Sequence, residues 1–531
     1  MANPLTKIMM ISVGVLSINF SYAAVMDNQL GAVHITISEN NAVAKTYFLQ
    51  GLLLLHSFQY NDARIKFESA QKIDPNFAMA YWGEAMTYNH PVWNEQNYSA
   101  ATAVLNKLAP TAAARLAKAP TAEEKGFINA INQLYGNGSK FKRDDDYQMA
   151  MYDLYKQFPD SEEAGTFYAL SILGSTQGNR NFKTYMQAAG ILEEIYQKNP
   201  NHSGVIHYLI HCYDDPIHAP LGLRFAREYA KVAPSAPHAL HMPSHIYLAL
   251  GMWNDVVNSN LAAWNAGIAQ KSLSGNYDIH ALHALQWLSY GYLQLKDYAK
   301  AYQNVKTMEQ IVILNPNDAM SKWYYALMRA AYISETQNWN ADLQDIDLSG
   351  IELSAVADNA YVQGMQAISS GNQAKAQQVI NQVHKLMSYQ FTPDVVASCH
   401  HDATYFNTMN EGGIINAKIV YLELQAQAAQ AQRNLEQAIK LAKTASEIEN
   451  GLSFGYGPPV PAKPANELLA ELYFQNKQYD MAYKQFSIAL EHTPNRTISK
   501  EGLQKAREKL IELKLPIPDG APKPYFNKLR G

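Results

Sequence analysis

A 34-residue spacing of small and aromatic residues constrains the fold of this chain more than any other feature. Numbered from Ala44, the unit has its marked residues at positions 8, 20, 24, 27 and 32: Gly51, Ala63, Phe67, Ala70 and Pro75. Small residues at fixed places let two helices cross closely, and the aromatic ring fills the space beneath the next unit. Proline lacks a backbone N–H and ends the second helix. The spacing therefore predicts stacked helix–turn–helix units.

The same register recurs along the chain. The unit from Lys463 to Arg496 fills the same five positions with Ala470, Ala482, Phe486, Ala489 and Pro494. Weaker units begin at Ser203, Pro237, Leu282, Ala357 and Ile419. Strand signals are sparse, with 33–37 a short apolar run of the kind that forms one. Because repeats of fixed period stack on their neighbours, we expect an all-α solenoid rather than an ordinary helical bundle.

The unit resembles the tetratricopeptide repeat, a helix–turn–helix of 34 residues. Within that superfamily, four stretches are similar to a subgroup of exported bacterial proteins: HSFQY at 56–60, AYWGEAM at 80–86 followed by NHP at 89–91, HYLIH at 207–211 followed by DDP at 214–216, and HMPSHIY at 241–247. The resemblance implies a right-handed superhelix whose first helices line a concave groove through positions 2, 5, 9, 12 and 13. It also implies protein or peptide binding in that groove, and it does not imply catalysis.

Histidines are concentrated in the central units, where nine of the sixteen lie between residues 202 and 283. The repeat register assigns histidines to equivalent positions: 5 for His207 and His241, 9 for His211 and His245, 2 for His238 and His283, and 13 for His56 and His90. All of these are positions that the resemblance turns toward the groove. We therefore expect the functional site of this protein to lie among these histidines.

Two adjacent helices each carry a His-x-x-x-His pair, which places two imidazoles on consecutive turns of one helix face. Packed helices lie about 8–10 Å apart, so ring nitrogens from both helices can reach one ion. We predict a zinc, copper or iron site formed by His207, His211, His241 and His245, with Asp214 as a further ligand or as the partner of a His ring. No Glu follows the first His of either pair, which excludes the HExxH metalloprotease motif.

A second interpretation of the histidines is a hydrogen-bonded ladder, in which duplication of the repeat explains their equivalent positions. Pro243 lies between His241 and His245 and removes a helix hydrogen bond, so we expect a kink there. Further groove-facing candidates are His56, Trp82, Glu84, His90, Asp215, His238, Tyr247, His283, Gln286 and Tyr290. The basic residues that grip a peptide carboxylate in tail-binding members of the superfamily are missing from positions 5 and 9.

Charge and the N-terminus bear on partners and location. With 43 Lys and Arg against 47 Asp and Glu, the chain lacks the basic excess that phosphate binding needs, so we expect no nucleic-acid partner.

The N-terminus has the features of an export signal: Lys7, the apolar run 8–20 and the small residues at 21 and 23, with cleavage after Ala23. We therefore expect a periplasmic or secreted protein with no transmembrane segment in the mature chain. Cys212 and Cys399 are compatible with one disulfide or with two free thiols.

The repeats divide the chain into an export signal (1–23), an N-terminal extension (24–43), N-terminal repeats (44–111), degenerate repeats (112–202), histidine-rich central repeats (203–315), further repeats (316–450), and a C-terminal repeat with a capping helix (451–531). Our first hypothesis is an exported, non-catalytic scaffold whose His-, Tyr- and Trp-lined groove holds a peptide, a protein partner or a small ligand. The alternative is a metal-binding protein, or a metal-dependent enzyme in which Asp214 or Glu84 acts as general base.

Overall fold

The structure is a computed structural model that describes residues 22–27, 29–176, 180–270, 277–388, 403–452, 455 and 457–518. Residues 1–21 of the predicted export signal and Cys399 lie outside this part. The chain begins with an antiparallel hairpin of β1 (Tyr22–Asp27) and β2 (Gly31–Thr36). Gly31 has a φ of +95°, and the next residue, Ala32, donates its N–H to the carbonyl of Asn201 at 2.8 Å. The predicted strand at 33–37 is thus present, and it ties the N-terminus to the central repeats.

Helices follow one another along the rest of the described chain. The first half of the described chain contains α1 (Ala42–His56), α2 (Tyr60–Ile73), α3 (Ala78–Met86), α4 (Tyr98–Leu108), α5 (Ala112–Lys118), α6 (Ala122–Leu134), α7 (Lys140–Gln157), α8 (Glu162–Gly174) and α9 (Phe182–Lys198). Between α3 and α4, a small hairpin of β3 (Asn89–His90) and β4 (Glu95–Gln96) encloses a 3₁₀ turn at Pro91–Trp93.

The histidine-rich region consists of α10 (Ser203–Tyr213), α11 (Ala219–Val232), α12 (Pro237–His241), α13 (Pro243–Ala249), α14 (Trp253–Ala269), α15 (Ile279–Gln294) and α16 (Tyr298–Leu314). The remaining helices are α17 (Ala319–Thr336), α18 (Leu353–Ser369), α19 (Gln373–Leu386), α20 (Ala403–Ala431), α21 (Leu435–Glu449), α22 (Ala465–Gln475), α23 (Tyr479–His492) and α24 (Thr497–Glu512). Consecutive helices pack against one another along the described chain, which confirms the predicted all-α solenoid.

Helix starts follow from local side-chain chemistry. Asn41 caps α1 by accepting from the N–H groups of the first turn, and Ser161 does the same for α8. Thr121 and Glu124 form a reciprocal capping box at the start of α6. Met242 separates α12 from α13, because Pro243 cannot continue the backbone ladder. The helix is thus interrupted between His241 and His245, although Met242 keeps right-handed helical backbone angles, and the bend itself stays a prediction.

Gly51, one of the small residues of the repeat, packs against an aromatic ring as its position predicts, and two further glycines, Gly83 and Gly502, pack in the same way. Phe67 on α2 is fully buried between α1 and α3. A Cβ added at Gly83 would lie 2.3 Å from its ring, and one added at Gly51 would lie 2.8 Å away. At the other end of the chain, a Cβ at Gly502 would lie 2.2 Å from the ring of Phe486. Glycine is required at these positions because the aromatic ring occupies the space that any side chain needs.

Distant repeats also touch across the interior of the superhelix. His280 on α15 donates from Nε2 to the carbonyl of Phe58, which follows α1, at 3.1 Å. Arg496, just before α24, donates from Nη1 to the hydroxyl of Tyr290 at 2.9 Å. The indole of Trp253 donates to the carbonyl of Asn495 at 3.0 Å. Segments from the two ends of the repeat array therefore contact α14 and α15 in the central repeats.

Within the described residues, no helix is both long enough and apolar enough to cross a bilayer.

One buried carboxyl joins the last third of the solenoid to the segment before α22. Asp358 on α18 is 1% exposed and accepts the N–H of Ala462 at 2.9 Å. Burial raises the pKa of Asp358 to about 7, and the nearby Glu352 adds a smaller upward shift. A carboxyl of this kind is protonated in the folded chain under conditions that ionise it in the unfolded chain.

We predict that Gly83→Ala destabilises the protein by about 1–3 kcal/mol, because the new methyl overlaps a ring that cannot move far in a packed core. The matched control is Gly190→Ala on α9, where an added Cβ meets nothing within 4 Å. That change should be neutral or stabilising by up to about 1 kcal/mol. Urea unfolding followed by circular dichroism measures both, and equal effects of the two substitutions would contradict the packing argument.

We predict that Asp358→Asn stabilises the protein above pH 7 and has little effect near pH 4. The folded-state pKa of about 7 exceeds the unfolded value of 3.8, so unfolding releases a proton and wild-type stability falls as pH rises between these values. A shift of this size corresponds to at most about 4 kcal/mol. Urea unfolding at pH 4.5 and pH 8 measures the difference, with the exposed Asp160→Asn as control. The same stability difference at both pH values would refute the assignment.

Candidate metal centre

Six histidine side chains from three consecutive units meet inside the superhelix as two groups of three. The first triad consists of His207, His211 and His238. The second triad consists of His241, His245 and His283. In each triad, the three ring nitrogens that can bind an ion lie within 4.8 Å of one another, so all three lie within about 2.8 Å of a common point. That convergence brings them close to the roughly 2.0–2.1 Å of a metal–imidazole bond.

Hydrogen bonds fix the tautomer of His241 in the second triad. Its Nδ1 lies 2.6 Å from Oδ1 of Asn260 on α14. The Asn260 amide donates from Nδ2 to the carbonyl of Val256 at 2.8 Å, so the atom that faces His241 is the oxygen. An amide oxygen only accepts, and Nδ1 of His241 therefore carries the hydrogen. Its Nε2 is left with a lone pair that points into the triad.

A carboxylate fixes the tautomer of His245, again with the hydrogen on Nδ1. Its Nδ1 lies 2.9 Å from Oδ2 of Asp214, so Nδ1–H donates and Nε2 carries a lone pair. Nε2 of His245 and Nε2 of His241 are 3.1 Å apart. Two lone pairs facing each other at this distance repel unless a proton or a cation lies between them. Two imidazoles on one tetrahedral ion with bonds of 2.0–2.1 Å have their nitrogens about 3.3 Å apart, close to the observed separation.

The first triad shows the same arrangement on α10 and α12. Nδ1 of His207 donates to the carbonyl of His56 at 2.7 Å, which leaves the lone pair on Nε2. This Nε2 lies 3.1 Å from Nε2 of His238. Nδ1 of His238 is buried and has no hydrogen-bond partner among the described residues. Either tautomer of His238 therefore leaves one ring nitrogen unsatisfied.

Asp214 connects the two triads. Its Oδ2 lies 2.9 Å from Nδ1 of His245 and 3.4 Å from Nδ1 of His211. Its other oxygen is paired with Arg180, which precedes α9. Burial alone would raise the pKa of Asp214, but Arg180 and the two histidines lower it below the usual range. A carboxylate that orients the rings of metal-binding histidines is a common feature of metal sites.

Five of the six triad histidines are buried, and His283 is partly exposed. Burial lowers the pKa of His207, His238, His241 and His283 well below 6.5, and neighbouring imidazoles lower it further. A neutral imidazole is the form that binds a metal ion. The environment therefore favours the ligand form of these side chains.

A cavity of about 200 Å³ lies beside the second triad. His245 and Asp214 line it, and so does the indole of Trp287, whose ring lies 4.8 Å from that of His241. The opposite wall comes from Glu449 at the end of α21 and from the segment 458–461. The second triad therefore adjoins a space that can hold a small molecule.

The histidines nearest the first triad form a different kind of cluster. His56 donates from Nε2 to the carboxylate of Glu163 at 2.8 Å, and its Nδ1 accepts from the Tyr208 hydroxyl at 3.0 Å. His202 accepts the N–H of Val205 with Nδ1, which caps α10, and its Nε2 lies 3.1 Å from Glu163. Every ring nitrogen in this cluster has a protein partner, so hydrogen bonding alone accounts for it.

Trp82, Glu84 and His90, which we predicted to face the groove, belong to neither histidine triad. Trp82 is fully buried and packs edge-on against Phe127 and Phe167 in neighbouring repeats. Glu84 is buried and accepts from Gln71, and burial raises its pKa. His90 lies in β3 rather than on a helix, because α3 ends at residue 86 and Pro91 disfavours helix at the preceding residue.

The remaining predicted residues make structural contacts. Asp215 accepts from the N–H groups that open the turn into α11 and pairs with His218. Tyr290 accepts from Arg496, and Gln286 lies beside it, largely buried. Tyr247 on α13 is 9% exposed, and burial raises its pKa to about 12.

The four histidines predicted to share one ion fall into two separate groups in the structure. His207 and His211 meet His238, whereas His241 and His245 meet His283. Sequence reasoning placed His238 and His283 at the same repeat position without assigning them as ligands. It missed Asn260 and Arg180, since neither belongs to a motif and both act through contacts made by folding.

No protein-family model and no curated protein sequence matches the chain. Solved structures to which it is similar include the TPR domain of P58(IPK), with a TM-score of 0.22 and 15% identity over 89% of this chain and 99% of that chain. Yeast Tom70 has a TM-score of 0.30 and 13% identity over 90% and 97%. Human IFIT1, solved with m7Gppp-AAAA, has a TM-score of 0.36 and 10% identity over 89% and 91%. At this level the likeness gives no ligand, partner or activity for this chain.

We predict that Glu163→Gln lowers stability at pH 7 by about 2–4 kcal/mol, because its amide NH₂ would face the N–H of a buried histidine. Burial alone would raise the pKa of Glu163, but His56 and His202 lower it to about 2. Since the unfolded value is 4.5, the wild type gains its stabilisation above pH 4.5 and loses it as pH falls toward 2.

The Glu163→Gln variant should therefore lack this acid-induced loss. Thermal unfolding at pH 7 and pH 3 measures the effect, and Glu194→Gln on the exposed face of α9 serves as the control, with an expected change within about 0.5 kcal/mol. A loss of stability at acid pH equal to that of the wild type would contradict the assigned role of Glu163.

Proposed function

We propose that this tetratricopeptide-type protein binds a transition-metal ion through Nε2 of His241, Nε2 of His245 and a ring nitrogen of His283. The observation that carries the proposal is the pair of Nε2 atoms 3.1 Å apart, each with its own Nδ1–H bonded to an acceptor. A bound cation removes the repulsion between these lone pairs. Satisfied hydrogen-bond ladders, such as the one around Glu163, do not place two acceptors face to face.

The ligand set favours zinc, copper or ferrous iron. Three neutral imidazoles suit these ions, whereas magnesium and calcium prefer carboxylate and carbonyl oxygens. Three protein ligands leave room for a further ligand, as in catalytic zinc sites. The cavity beside His245 is the space from which a small molecule could approach the ion.

A small ligand fits this proposal better than an extended peptide. The inner face of the central repeats is contacted by the chain's own segments around Phe58 and Arg496. The cavity of about 200 Å³ is below the roughly 300–1,000 Å³ of sites for drug-sized ligands. The binding-scaffold hypothesis is therefore retained in its small-ligand form, with the ion as part of the binding site.

Export remains part of the proposal and rests on the N-terminal sequence. Protein recovered from the periplasm or the medium should begin at Ala24, and Edman sequencing or intact mass measures this directly. Retention of residues 1–23 in the recovered protein would contradict it.

We predict that the untagged protein binds zinc or copper, and that His241→Ala/His283→Ala removes one bound equivalent from the wild-type total. The substitutions delete two nitrogens from a three-nitrogen site, so the remaining His245 cannot retain the ion. Metal content after loading and gel filtration is measured by inductively coupled plasma mass spectrometry.

The matched control is His384→Ala on the exposed face of α19, which should leave the metal content unchanged. Circular dichroism checks that each variant keeps its helical content. Wild type and double variant with equal metal content would refute the site, and so would a wild type that retains less than about a tenth of an equivalent.

A further inference from the structure

The two triads occupy equivalent places in consecutive repeats. The second helices α11, α14 and α16 each begin 16 residues after the unit starts at Ser203, Pro237 and Leu282, so one register describes all three units. Each triad then takes positions 5 and 9 from one unit and position 2 from the next. The linking segment is longer before His283 than before His238, and the register is nevertheless restored.

The internal distances of the triads agree with this equivalence. Rings at positions 5 and 9 have centroids 4.9 Å apart in the first triad and 5.1 Å apart in the second. Rings at position 5 and at position 2 of the next unit have centroids 4.9 Å and 4.5 Å apart. An arrangement that supports an ion in one triad is thus present, nearly unchanged, in the other.

The hydrogen bonds that orient the rings are also equivalent. In both triads, Nδ1 of the position-5 histidine donates to an oxygen that can only accept, the carbonyl of His56 or the amide of Asn260. In both, Nδ1 of the position-9 histidine faces the same carboxylate, that of Asp214. The first triad adds Nδ1 of the buried His238, which has no hydrogen-bond partner in the described part of the chain.

We propose that the first triad is a second metal site and that the two triads together form a two-copper centre. This inference rests on the proposed function of the second triad. The rings of His211 and His245 have centroids only 5.4 Å apart, and those of His238 and His241 are 6.0 Å apart. Two ions bound in the triads are therefore neighbours in one centre.

The small negative charge around the two triads favours two Cu⁺ ions over two divalent ions. The ligands of both sites are neutral, and the Asp214 carboxylate between them is already paired with Arg180. Two divalent ions would place four positive charges in a buried region with little compensation, and uncompensated buried charge is costly. Two Cu⁺ ions halve that charge, and imidazole is a suitable ligand for copper.

The two sites differ in access. Phe58 lies against the first triad, with its ring 4.3 Å from that of His207 and 5.6 Å from that of His238. The second triad adjoins the cavity through His245. The ion in the first triad is thus enclosed, and the ion in the second triad is the one that meets a ligand from the cavity.

The test is the copper stoichiometry of the full-length mature protein. Wild type and single variants are loaded with Cu⁺ under anaerobic conditions, desalted, and examined by native mass spectrometry. We expect two coppers in wild type, one in His238→Gln and one in His283→Gln. His280→Gln is the matched control and should keep two, because His280 lies beside His238 but belongs to neither triad, and its Nε2 donates to the carbonyl of Phe58.

The outcomes separate this inference from the proposed function. One copper in wild type and in His238→Gln, with none in His283→Gln, overturns the second site and leaves the proposed function standing. No copper in wild type overturns the two-copper centre, and the zinc measurement then decides the proposed function. The wild-type count does not depend on the folding of any variant, so the inference stays falsifiable even if His238→Gln unfolds.

Discussion

The histidine centre depends on which nitrogen of each ring carries the hydrogen. His207, His241 and His245 each donate from Nδ1 to an oxygen that only accepts, and this leaves a lone pair on each Nε2. Inside a buried region, these lone pairs meet other ring nitrogens at 3.1 Å. For His241 and His245, whose tautomers are both fixed, that arrangement is repulsive without a cation or a shared proton, because the buried environment screens charge poorly. The hydrogen bonds of the Nδ1 atoms thus direct the Nε2 lone pairs toward one another, and the metal proposal follows from this arrangement.

The solenoid builds this interior by repetition. Each triad combines positions 5 and 9 of one first helix with position 2 of the next, so neither site exists within a single unit. Groups outside the first helices orient the rings: the carbonyl of His56 at the end of α1, the amide of Asn260 on α14 in the same unit as His241, and Arg180 from the connection before α9. Because the rings are held by groups from many parts of the chain, their orientation is fixed before any ligand binds.

The sequence was sufficient to predict the 34-residue repeat and to assign the histidines to equivalent positions in consecutive units. It also located the break at Pro243, because a proline in a helix has a local effect. It was insufficient for the grouping of the histidines, since whether four side chains share one point or form two triads depends on how α10, α12 and α15 pack. Trp82 shows the same limit: its position suggested the groove, whereas its ring packs against Phe127 and Phe167. Side-chain direction within a repeat depends on the curvature of the superhelix, which no single unit encodes.

X-ray absorption at the metal edge tests the central claim most directly. The metal-loaded wild type should show a first shell made mainly of nitrogen at about 2.0–2.1 Å, the distance of zinc–imidazole bonds, with the multiple-scattering pattern of imidazole rings and no sulfur. Three imidazoles per metal would match the triads. A shell made mainly of oxygen, or one that contains sulfur, would contradict the assignment of the histidine triads as the ligands.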